Sequence, residues 1–121
     1  MGINNIIKIY DHMLNFKSSA NDLTLGVEAE LQLVDATNYD LTPRVLEILS
    51  LVPKEYKDKI KPEIFQSMIE LNTGICKDAH EIEKDIRQTK SLLEELCYPL
   101  NIKLAGTASH PFALYWCLLS E

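Results

Sequence analysis

Residues Leu25–Asp35 read LGVEAELQLVD. Leu25, Val27, Ala29, Leu31 and Leu33 alternate with Gly26, Glu28, Glu30 and Gln32, the two-residue period of a strand with one apolar and one carboxylate-bearing face. The alternation predicts a strand over Leu23–Asp35. Glu28 and Glu30 then lie on one side of it, about 7 Å apart by the strand rise. Two acids so placed are harmless on a solvated edge, whereas on a covered face they repel unless a cation sits between them. Both readings stand on spacing alone.

Outward from this strand, Ala36–Asp40 reads as a turn, and Thr42-Pro43 is a suitable cap and first turn for a short helix through about Ser50. Pro53–Lys61 reads as a charged connection. Ile64–Thr73 (IFQSMIELNT) alternates again, with Gln66, Met68, Glu70 and Asn72 against Ser67, Ile69, Leu71 and Thr73, and Gly74 ends that strand. Asp78 is placed to cap a long helix whose early turns carry Glu81, Glu83 and Asp85, where the helix dipole favours acids. Ile82, Ile86, Leu93, Leu96 and Cys97 form its apolar stripe, Glu83 and Arg87 an i,i+4 pair, and Pro99 stops it. Asn101–Ser109 reads as a third strand. Upstream, Ile3–Phe16 has the spacing of an amphipathic helix, and downstream His110-Pro111 opens a largely apolar segment. Helices alternate with three strands, an order that suits parallel or antiparallel pairing alike, and such a sheet leaves open edges.

The chain has 121 residues, 46% hydrophobic and 25% charged, which suits one globular domain and excludes a disordered chain. Its net charge of −6 argues against a binder of nucleic-acid backbones, yet an acidic site can still hold ATP through a divalent cation. No apolar run reaches the roughly 20 residues that span a bilayer, and the N-terminal stretch has no signal-peptide pattern. Cys76, Cys97 and Cys117 form no CxxC pair, so reduced thiols in a cytoplasmic protein are expected, with Cys97 and Cys117 in the core. There is no Walker A, GxGxxG, nucleophile-elbow or HExxH motif.

Two further constellations could carry chemistry. Glu70, in PEIFQSMIELNTG, is a carboxylate near a strand end and suits either solvent or Mg²⁺, which takes oxygen ligands. Glu63 lies seven residues earlier, so a straight strand would put it on the opposite face; it joins Glu70 only if the chain turns near Pro62–Phe65. In GTASHP, Gly106–Pro111, His110 could be a ligand, a substrate hydrogen-bond donor or a capping group.

Taken in order, GVEAELQLVD, PEIFQSMIELNTG, the acid-rich helix and LAGTASHPFA resemble the N-terminal part of the type 2 glutamate–cysteine ligases, the carboxylate–amine ligases. The likeness covers roughly Leu23 to Ala113. It implies an α+β, glutamine-synthetase-like fold, a mainly antiparallel curved sheet with helices packed on one face, of which residues 1–121 would be the N-terminal part of one catalytic domain. It implies ATP-dependent joining of the glutamate γ-carboxylate to the amine of cysteine, or another amine, through an acyl phosphate, with Mg²⁺ or Mn²⁺ bridging the ATP phosphates.

By the same resemblance Glu28, Glu30, Glu63 and Glu70 would ligate metal, Gln66, Thr73 and Gly74 would line the substrate side, and His110 would lie near the amino-acid pocket. The resemblance implies small-molecule substrates (ATP, glutamate, and cysteine or another amine); charge and hydropathy point to no nucleic acid and no membrane, and the open sheet edges and apolar C-terminal segment suggest a second copy or a complementing C-terminal chain as partner. The chain departs from the family pattern at Ala29, where an acid is usual, and at Ser109, which shifts His110 relative to Gly106. Family members are also much longer, so this chain alone is expected to show little ligase activity. The competing expectation is a non-catalytic, metal-binding or interaction module that needs a partner chain.

Overall fold

A computed structural model describes residues 23–107 and 109–113. The helix expected over Ile3–Phe16, and the apolar segment after Ala113 with Cys117, lie outside the described residues. Among those described, the chain runs β1 (Glu28–Asp35), α1 (Val45–Leu51), β2 (Ile60–Pro62), β3 (Met68–Asn72), α2 (Ala79–Cys97) and β4 (Ile102–Ala105). The four strands form one sheet in the order β2-β3-β1-β4, and every pairing is antiparallel. An α+β fold with an antiparallel sheet is therefore what the alternating patterns build.

The strand period sorts the sheet into two faces. Leu33, Ile69, Leu71, Ile60 and Ile102 point to one side and pack with Val45 and Ile48 of α1 and Leu93 and Cys97 of α2 in a single buried core. Both helices thus cover the same face. Each fully buried Leu or Ile contributes about 1.5–3 kcal/mol, well above what an exposed ion pair such as Glu83–Arg87 adds. Burial of the apolar stripe, with Leu93 and Cys97 innermost, is what seats α2. Its start is fixed by Asp78, whose Oδ1 accepts the Glu81 N–H at 2.9 Å.

Several expectations need correction. The described residues hold four strands: β2 falls inside what reads as a charged connection, because a three-residue edge strand ending in Pro62 shows almost no period. The first and second predicted strands are shorter than their alternation suggests, since pairing begins only at Glu28 and Met68, with Leu25 and Cys76 forming an isolated bridge beyond. Likewise β4 ends at Ala105. Thr42-Pro43 does not cap α1, which starts at Val45 without a side-chain cap; the Thr42 N–H instead donates to the Leu33 carbonyl at 2.9 Å, extending the sheet. On β1, Gln32 lies on the carboxylate-bearing face and is buried there, and the Thr107 hydroxyl donates to its Oε1 at 3.0 Å.

Candidate metal centre

The face of the sheet opposite the helices carries the acids. Glu30 of β1 pairs with Glu70 of β3, and Glu28 pairs with Asn72 one row further on. On the far side of Glu70 stands Lys61 of β2. The alternation that turns Leu31 and Leu71 to the helical side leaves Glu28, Glu30 and Glu70 no other direction.

Glu63 arrives by a turn. Between Pro62 and Met68 the chain reverses, and the β2–β3 hairpin that results returns Glu63 to Glu70. The seven-residue offset that would separate them on a straight strand is absorbed by that reversal, the condition under which the two can meet. One carboxylate oxygen from each of Glu30, Glu63 and Glu70 lies within 4.8 Å of the others. Glu30 is exposed and the other two are half-buried.

The pair Glu63–Glu70 shares a hydrogen bond. That bond holds the Glu63 carboxyl above its ordinary range, against the pull of the Ile64 N–H, and burial and the charges of Glu30 and Glu70 act in the same upward direction. Glu70 is held below its ordinary range, chiefly by the Asn72 side-chain amide, then by Glu63, with Lys61 assisting and burial opposing.

Three convergent carboxyl groups are the hard oxygen donors that Mg²⁺ and Mn²⁺ prefer, and three protein oxygens leave the remaining octahedral positions to water or phosphate oxygens. The residues therefore fit a divalent cation. Glu28, on the same face, is outside the trio and borders an open concavity of about 520 Å³ with Gly26, Val27, Asn72 and Thr73. Thr73 closes that concavity: its N–H donates to the Val27 carbonyl at 3.0 Å and its Oγ1 accepts the Val27 N–H at 2.9 Å. The Gly74 N–H is committed to Asp85 at 2.8 Å. Gln66 lies half-buried in the β2–β3 turn, where its carbonyl accepts the Val45 N–H at 3.0 Å.

His110 is not brought to the carboxylates. It is buried, its Nε2 lies 2.7 Å from the Tyr39 carbonyl oxygen in the turn after β1, and its ring meets Phe112 edge-on at 4.5 Å. Two residues that sequence reasoning did not single out do join the site. Asn72 orients Glu70, and its place two residues on, on the same strand face, is the signal that could have found it. Lys61 had no such signal, because its strand was not legible.

The site is thus a converging carboxylate trio on the face of an antiparallel sheet away from the helices. The model of the family described as glutamate-cysteine ligase family 2 matches residues 24–117, and the chain belongs to that family. It is 40% identical over 92 residues to a Gloeobacter violaceus protein named "Putative glutamate--cysteine ligase 2", covering 74% of this chain and 25% of the relative. A Ralstonia pickettii protein of the same name is 43% identical over 96 residues, covering 78% and 26%. The chain spans about a quarter of the length of the curated relatives it matches. Among the described residues, no helix is long and apolar enough to cross a membrane.

Proposed function

We propose that residues 1–121 form the N-terminal part of the catalytic domain of an ATP-dependent carboxylate–amine ligase with a glutamine-synthetase-like fold. The reaction is the joining of the glutamate γ-carboxylate to the amine of cysteine through an acyl phosphate. The observation that carries this reading is the meeting of Glu30, Glu63 and Glu70 at one point on the sheet face away from the helices. In a protein of this family such a trio has an evident use, because ATP brings several negative charges that carboxylates alone would repel.

Glu30, Glu63 and Glu70 would hold Mg²⁺ or Mn²⁺, which would supply positive charge to offset the phosphates and the charge developing on the transferred group. Glu28 extends the acidic row toward the Gly26–Thr73 concavity. Asn72 fixes the Glu70 carboxylate so that it need not reorganise on binding. The Thr73 hydroxyl, having accepted from Val27, keeps its own hydrogen for an acceptor on substrate. In this reading His110 acts as scaffold, pinning the segment after β4 to the Tyr39 turn.

The test is an assay of the protein at the length its own cell makes, with Mg²⁺, ATP, glutamate and cysteine. γ-Glutamylcysteine, ADP and phosphate should appear together, and Glu70→Gln should lower the rate at least a hundredfold. A wild type that releases phosphate from ATP with no dependence on glutamate, or forms no amide with any amine offered, contradicts the proposal.

A further inference from the structure

Asp85 sits on α2, on the helical side of the sheet, and its side chain is 17% exposed. It does not touch the carboxylate trio. Its Oδ1 forms an ion pair with Lys59, just before β2, and its Oδ2 accepts the Gly74 N–H at 2.8 Å, just after β3. A half-desolvated carboxylate that binds both a cation and a backbone N–H is a strong, directional tie.

Both tied residues flank Asn72. The Lys59 carbonyl accepts the Asn72 N–H at 2.7 Å, and Gly74 is two residues beyond Asn72 in the chain. Between them, Thr73 is clamped to Val27 through two hydrogen bonds. Asn72 in turn donates its side-chain amide to Glu70. One carboxylate on the helix therefore braces the backbone on both sides of the residue that aims Glu70.

We propose that Asp85 is a positioning residue for the candidate cation site, acting through Lys59 and Gly74 on Asn72 and so on Glu70. This rests on the cation reading given above. Outer groups that orient a metal ligand are commonly worth about tenfold or more in affinity. An Asp85 that merely added stability would change the melting temperature and leave the affinity of the folded protein alone.

The experiment compares wild type, Asp85→Ala and Asp85→Asn for Mn²⁺ affinity by electron paramagnetic resonance, at a temperature where circular dichroism shows each folded. Asp85→Ala should weaken Mn²⁺ about tenfold. Asp85→Asn should recover part of that loss, since its amide oxygen can still accept the Gly74 N–H. The Asn72 side-chain amide resonances of the metal-free protein should also move in Asp85→Ala. If Asp85→Ala does not fold, Lys59→Met, which breaks one of the two ties, should weaken Mn²⁺ about threefold. Affinity within experimental error of wild type in a folded variant, or unmoved Asn72 resonances, overturns the positioning role. A wild type that binds no Mn²⁺ overturns the cation reading instead, and the metal-free Asn72 resonances then judge Asp85 separately.

Discussion

Glu30 of β1 and Glu70 of β3 stand directly opposite each other in the antiparallel ladder, with Lys61 opposite Glu70 on its other side. Like charges facing across a ladder destabilise it, by a few tenths to about 1 kcal/mol. A sheet that keeps such a pair carries a cost in the folded state that a bound cation would remove.

Glu30→Gln is therefore expected to raise the metal-free melting temperature while removing the stabilisation by Mn²⁺ that the wild type shows. Thermal unfolding with and without saturating Mn²⁺ measures both effects. A metal-free Glu30→Gln protein less stable than wild type would contradict the repulsion argument.

Acid stability should depend on Asp85. Burial pushes its carboxyl up, but the Lys59 ammonium and the Gly74 N–H outweigh burial and hold it below its ordinary value. A depressed folded pKa means that the stabilisation is fully present above the unfolded value, about 4, and is lost as pH falls through the folded one. Asp85→Asn should flatten this part of the acid limb in urea melts taken from about pH 5 downward. An unchanged slope would show that the Lys59–Asp85 pair is not felt in the folded protein.

Among the described residues, the buried hydroxyls of Thr89 and Ser67 find no hydrogen-bond partner. Leaving such a group dry costs about 1–3 kcal/mol relative to satisfying it. Thr89→Val keeps the shape, the β-branching and nearly the same helix propensity, and is expected to stabilise by about 1 kcal/mol. Ser67→Ala should act in the same direction but less, since it also removes volume. A destabilised Thr89→Val in chemical denaturation would mean that the hydroxyl is hydrated in solution.

Burial, with Glu94 nearby, pushes the Cys97 thiol up to about 11. At pH 8 only about one such thiol in a thousand is ionised, and the thiolate is the reactive form. Iodoacetamide should therefore spare Cys97 in the native protein and label it in urea, read by peptide mass mapping. Rapid native labelling would place α2 away from the sheet in solution.

What could be read from sequence divides along physical lines. The faces of β1 and β3 and the Asp78 cap were legible because each rests on a local rule, two-residue alternation or a single side chain with one backbone partner. The meeting of Glu63 with Glu70 was legible only as a condition, since a seven-residue offset becomes a contact through a reversal that Pro62–Phe65 permits but does not dictate. Strand β2 was illegible: three residues, Ile60, Lys61 and Pro62, cannot display a period, and with it Lys61 was lost from the site. Gln32 and Asp85 depend on partners 75 and 26 residues away, so no local pattern marks them. The acidic row from Glu28 to Glu30 was thus visible early, while the groups that steady it came only with the fold.

The most direct measurement is a calorimetric titration of Mg²⁺ and Mn²⁺ into the wild-type chain and into the Glu30→Gln, Glu70→Gln double variant, each shown to be folded. The account predicts saturable divalent binding in the wild type that is abolished in the double variant. Binding of equal strength in both, or none in the folded wild type, would contradict it.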